Sequence, residues 1–198
     1  MSSTKLKLPG AIFFVSNLYS LFTGLAFTVI VTRTLTVSEF GLWSMLSQYI
    51  AYTATPLSSI ASFWIVRYAA RGFKQAPSSG LFFGILLSLI GLPLYSLVAL
   101  WASISFLQPS FILFLATPQV ITYILLGALN SIATGISPQH IGISGIIFET
   151  SKVVSSYILV RLLGQGLVGA IISVIIAQLI QLGYLLAVLR NLISRVLI

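Results

Sequence analysis

Between Gln75 and Phe148 the chain carries no Asp, Glu, Lys or Arg. A membrane span needs roughly 20 mostly apolar residues, so this run is several spans long. Three further uncharged runs cover Leu8 to Thr32, Phe40 to Val66 and Leu162 to Leu189. Two Pro-containing stretches, SFLQPS at 105–110 and GISPQH at 135–140, divide the longest run, because Pro beside small polar residues punctuates helices. Gly164-Gln165-Gly166 precedes the last run. The pattern predicts an all-α, polytopic transmembrane bundle, a single unit of about six spans. They lie near 10–32, 40–66, 79–103, 110–133, 140–162 and 165–189. Helix 40–66 contains Pro56, which predicts a kink and a freed carbonyl.

Composition agrees. Hydrophobic residues make up 58% of the chain, charged residues 6%, and the mean hydropathy is +1.11. A soluble domain carries about 25% charged residues. Cysteine is absent, which removes disulfides, thiol nucleophiles and cysteine metal sites.

A net charge of +8 also suits a nucleic-acid binder, but its placement points to membrane topology. Lys5, Lys7, Arg67, Arg71, Lys74, Arg190 and Arg195 fall on one side of the expected bundle, Arg33 and Arg161 on the other, and Lys152 within a span. Cytoplasmic loops collect Lys and Arg, so both termini are expected in the cytoplasm. The first run is long for a signal peptide and no A-x-A site closes it, so an uncleaved first span is expected. Nucleic acid is not an expected partner, membrane lipids are, and the expected location is the plasma membrane.

Polar residues recur at helical spacing: Asn17, Ser20, Gly24 and Thr28; Ser44, Gln48, Thr55, Ser59 and Ser62, with Tyr52 beside them; Gln119, Tyr123, Gly127 and Asn130; Gln178 and Gln181. Interhelical hydrogen bonding explains any one row. A water-accessible cavity explains all of them, and makes Asn17, Gln48, Gln119 and Asn130 candidate lining residues. Gly80, Gly84, Ser88 and Gly91 form a small-residue face suited to close helix packing.

Glu149 and Lys152 lie three residues apart inside a span, and Glu149 is one of only two acidic residues. An ionisable group in a span is costly and commonly marks a pathway. Two readings stay open. The pair neutralises itself and fixes packing, or Glu149 carries a coupling cation while Lys152 meets an anionic head group.

The stretch TRTLTVSEFGLWSMLSQYIAYTATPLSSIASFWIVRYAARG at 32–72 resembles the polysaccharide flippases of the multidrug/oligosaccharidyl-lipid/polysaccharide exporter superfamily. Arg33, Leu35, Glu39, Phe40 and Gly41 follow its first loop, with Thr36 where Gly is usual, and Phe40-Gly41 is expected to turn the chain back into the membrane. Arg67, Tyr68, Ala70, Arg71 and Gly72 follow its second-helix ending. GQGLVGAIISVIIAQ at 164–178 is similar to its sixth-helix opening. The resemblance implies a transporter and no bond chemistry: a polyprenyl-diphosphate-linked oligosaccharide moves between leaflets by alternating access. It makes Lys152 and Arg33 candidates for the diphosphate, with Arg67 at the inner mouth. Family members have twelve to fourteen spans, so this chain looks like the N-terminal half. It is expected to be truncated, to homodimerise, or to need a second transporter half.

Local chemistry gives Arg33 and Glu39 as an expected pair, and Arg67 and Arg71 as anchors to anionic lipid. A multidrug or small-molecule exporter and a non-transporting accessory bundle remain the alternatives. An enzyme is not expected, since Glu39, Glu149 and one His offer little acid–base or metal chemistry. Neither a cofactor nor a metal is called for.

Overall fold

The computed structural model describes the backbone of residues 4–73 and 75–196 and the side chains of 10–73 and 75–190. The side chains of Lys5, Lys7, Lys74 and Arg195 lie outside the described residues.

The described chain is helical throughout. Helix α1 spans Thr4–Thr34, α2 Val37–Ala70, α3 Ala76–Phe106, α4 Ser110–Leu115, α5 Thr117–Ile136, α6 Gln139–Ser156 and α7 Gly166–Val196. A π-helical turn, Tyr157–Leu162, extends α6. Five segments are long and apolar enough to cross a membrane: Gly10–Thr34, Ala76–Phe106, Ser110–Ile136, Gln139–Leu162 and Gly166–Arg190. With 34 residues, α2 is longer still and more polar. At 1.5 Å per residue it is about 50 Å long, against about 30 Å of hydrocarbon, so its ends reach the head groups. This is the architecture of a multi-pass membrane protein.

The helix ends follow local chemistry. The reversal between α1 and α2 lies at Leu35–Thr36, before the expected Phe40-Gly41 turn; both of those residues sit inside α2. Thr36 explains the shift. Its hydroxyl accepts from the Glu39 amide while Glu39 accepts from the Thr36 amide, a complete capping box. Glu39 is thus spoken for by Thr36, and the expected pairing with Arg33 does not form; among the described residues the ion pair is Lys152–Glu149. At the other end, the Phe73 amide donates to the Tyr68 carbonyl and the Gly72 amide to Ala69, with Gly72 at φ +75°. That is a Schellman stop, for which Gly supplies the left-handed residue.

The fourth expected span is broken into α4 and α5 at Ala116, because Pro118 lacks an amide hydrogen and restrains Thr117. In contrast, α2 continues through Pro56 and α3 through Pro93.

Two groups of helices emerge. One is α1 on α6 on α7; the other is α2, α3 and α5 in mutual contact. They join mainly where α5 meets α7. Sequence neighbours α1 and α2 diverge along most of their length and meet chiefly near their linker, where Phe27 and Trp43 stack at 5.9 Å. The small face of α3 does pack closely, since all four of its residues are buried. A Cβ on Gly84 would lie 2.8 Å from Ala128, and one on Gly91 2.7 Å from Ile124. Such close approach lets dispersion replace the hydrophobic drive that lipid removes.

Candidate functional site

The divergence of α1 from α2 leaves one long face of α2 without a packed helix. Ser44, Gln48, Tyr52, Thr55 and Ser59 on that face are exposed. Four cavities follow α2 from its start to its end. The first, 240 Å³, lies between α1 and α2 and includes Thr28, Ser44 and Gln48. The second, 290 Å³, is central: Ser58 of α2, Tyr123 and Asn130 of α5, Phe148 of α6, and Gln178 and Gln181 of α7 line it. The third, 420 Å³, lies beside Ser59, Ser62, Phe63, Val66 and Arg67. The fourth, 270 Å³, is bounded by Phe63, Trp64, Arg67, Tyr68 and Arg71.

The central cavity is where the two groups face each other. Its polar side chains are partly committed. Gln178 accepts from the Thr122 hydroxyl at 2.5 Å, and Tyr123 contacts Thr55 at 3.4 Å across α2 and α5. Gln181 reaches Ser144 at 3.4 Å. The side-chain oxygen of Asn130 is buried and accepts no hydrogen bond from the protein. An unmatched buried acceptor is expensive, so it calls for a partner supplied by solvent or ligand.

The expected residues are sorted by this geometry. Gln48, Asn130 and Arg67 line cavities. Gln119 does not line these four; it is buried and donates to the Ile171 carbonyl at 3.1 Å, tying α5 to α7. Asn17 is exposed on α1, and Arg33 is exposed at its end.

Lys152 and Glu149 lie in the seam between α1 and α6. The ammonium is 2.8 Å from Glu149 Oε2, which also accepts from Thr23 of α1 at 3.0 Å. Lys152 lies 5.3 Å from the Phe27 ring centre and 5.0 Å from that of Phe148. Cations favour such ring faces. The ring of Phe148 stands at the central cavity and that of Phe27 at the first, between α1 and α2. Two aromatic rings therefore separate the ammonium from the two cavities.

The sequence pattern put Gln178 and Gln181 on one face without marking them as lining residues, and it passed over Ser58. A Cβ on Gly127 would strike the Ser58 hydroxyl, so the Ser58 side chain of α2 packs directly on the α5 backbone at Gly127. The signal was Gly127 within the polar row of α5.

Outside the spans, Glu39 is held below the ordinary carboxylate pKa of 4.5 by the Thr36 amide, then by the Thr36 hydroxyl, with the Leu167 amide assisting and partial burial opposing. It bridges the starts of α2 and α7, where positive helix-dipole ends favour an anion. No family model, curated protein or solved structure matches this chain.

Proposed function

We propose that the chain is a transporter lobe that moves a polyprenyl-diphosphate-linked oligosaccharide to the outer leaflet by alternating access. The observation that carries this reading is the polar seam between α1–α6–α7 and α2–α3–α5, hinged where α5 meets α7. Two rigid groups that share one contact line can rock about it, and irregular or polar surface is tolerated at membrane depth only where it lines a cavity. The resemblance of 32–72 to the flippases supplies the substrate class. In this reading the termini are cytoplasmic, the location is the plasma membrane, and Arg67 stands at the inner mouth. Asn130, Gln178 and Gln181 contact the polar part of the cargo. Glu149 and Lys152 hold α1 on α6, and Lys152 becomes available to an anion only if the Phe27 and Phe148 rings part. The open face of α2 is completed by a second copy or a separate half.

The test is reconstitution into proteoliposomes with a labelled polyprenyl-diphosphate oligosaccharide in one leaflet. Movement above protein-free vesicles, reduced when Asn130 and Gln181 are both replaced by Ala, supports the reading. Movement of amphipathic amines without the lipid-linked glycan would assign the chain to the exporters instead. No movement of either by a verified dimer would leave an accessory bundle.

A further inference from the structure

The whole sequence contains two acidic residues, and both are committed far from the end of α2. Glu39 caps the opposite end of that helix, and Glu149 is paired with Lys152. No acidic side chain of this chain remains to neutralise Arg67 and Arg71. These two lie four residues apart, on neighbouring turns of one face, and the Schellman stop at Gly72 fixes the turn that carries them.

Arg67 and Arg71 line the same 270 Å³ cavity with Trp64 and Tyr68. The ring of Trp64 packs edge-on to Tyr68 at 5.9 Å and to Phe83 at 5.8 Å, and Tyr68 packs on Phe73 at 5.3 Å. Aromatic rings of this kind collect at the head-group level of a bilayer. The adjoining 420 Å³ cavity shares Phe63 and Arg67 and continues toward the middle of α2 past Val66 and Ser59. Cationic head and mainly apolar continuation have the dimensions of an amphipathic anion rather than of a small one. A guanidinium also matches phosphate oxygens in geometry, where an ammonium offers only a point charge.

We propose that Arg67 and Arg71 bind the phosphate of an anionic glycerophospholipid, whose acyl chain lies along the Ser59–Val66 cavity. The site shares Arg67 with the inner mouth of the transport reading but does not rest on that reading, since its ligand is a component of the bilayer and binding requires no movement. Zwitterionic phosphatidylcholine is disfavoured because its choline cation faces two arginines that lack carboxylate partners.

Trp64 is the built-in reporter. With Trp43 and Trp101 replaced by Phe, the full chain is placed in phosphatidylcholine bilayers. Brominated phosphatidylglycerol or brominated phosphatidylcholine is then added as quencher. Stronger quenching of Trp64 by phosphatidylglycerol is expected. The preference should fall by about fivefold for each arginine changed to Gln, and by less in Arg67→Lys/Arg71→Lys, which keeps both charges but loses the guanidinium forks. Equal quenching by the two lipids overturns the proposal, as does a preference unchanged in Arg67→Gln/Arg71→Gln. Relief of quenching by inorganic phosphate at constant ionic strength would reassign the site to free phosphate. Native mass spectrometry of the chain with all three tryptophans gives an independent readout. A retained phosphatidylglycerol should be lost with the two arginines, and its persistence without them also overturns the site.

Discussion

The ammonium of Lys152 sits 2.8 Å from the carboxylate of Glu149 while the Phe27 ring of another helix covers it at 5.3 Å. One helix supplies both charges, and α1 supplies the lid and the Thr23 hydroxyl. The pair is therefore neutral before α1 and α6 meet, and its insertion avoids the cost of a bare charge.

Removing one partner must leave an uncompensated charge. Lys152→Met or Glu149→Gln alone should destabilise the bundle by about 3–5 kcal/mol, and the double variant by clearly less. Unfolding of all four proteins in detergent gives the coupling. A double variant destabilised by the sum of the two singles would mean that the two charges act independently.

Two glycines make opposite predictions. A Cβ on Gly135 would lie 2.6 Å from the Ala69 side chain and 2.8 Å from the Ala70 backbone nitrogen, which has no way to yield. Gly135→Ala should cost about 1–3 kcal/mol. Gly183 faces open space within α7, so Gly183→Ala should be neutral or stabilise by up to about 1 kcal/mol. Melting temperatures of the two variants, which add the same methyl group, separate packing from propensity.

Asn130 divides function from stability. Its buried side-chain oxygen lacks a protein partner, so Asn130→Leu removes a desolvated acceptor and should leave stability equal or higher. Under the transport reading, the same change should lower glycan movement. A marked fall in melting temperature would make Asn130 a structural residue.

Glu39 sets an acid limit. Its folded pKa lies below its unfolded value near 4.5, so its contribution to stability is present above 4.5 and is lost as pH falls through the lower folded pKa. Glu39→Gln should flatten the stability profile in that acid window relative to the parent chain. A profile that keeps its slope would mean that Glu39 does not set the acid limit.

Much of this was legible from the residues. Uncharged runs located the spans, and Gly80, Gly84, Ser88 and Gly91 announced a packed face. Gln119 shows the limit. It shares helical spacing with Tyr123, Gly127 and Asn130, yet α5 is surrounded by α2, α3 and α7, so residues of one row meet different neighbours. The Arg33–Glu39 pairing failed for a local reason, because the Thr36 amide and hydroxyl lie closer along the chain than any guanidinium.

By itself the sequence determined that the chain is a membrane bundle and where most of its helices end. Hydropathy, Pro, Gly and caps act within a few residues, so their effects are written locally. The tertiary structure alone decided that α1 packs on α6 and not on α2, and hence which polar rows face a cavity. That choice rests on contacts such as Ser16, Tyr19 and Thr23 of α1 against Gly145, Thr150 and Glu149 of α6. Residues more than 120 positions apart make these contacts, as with Thr23 and Glu149, whose separation is 126. Helix periodicity gives each helix a polar face but carries no information about which neighbour that face will meet.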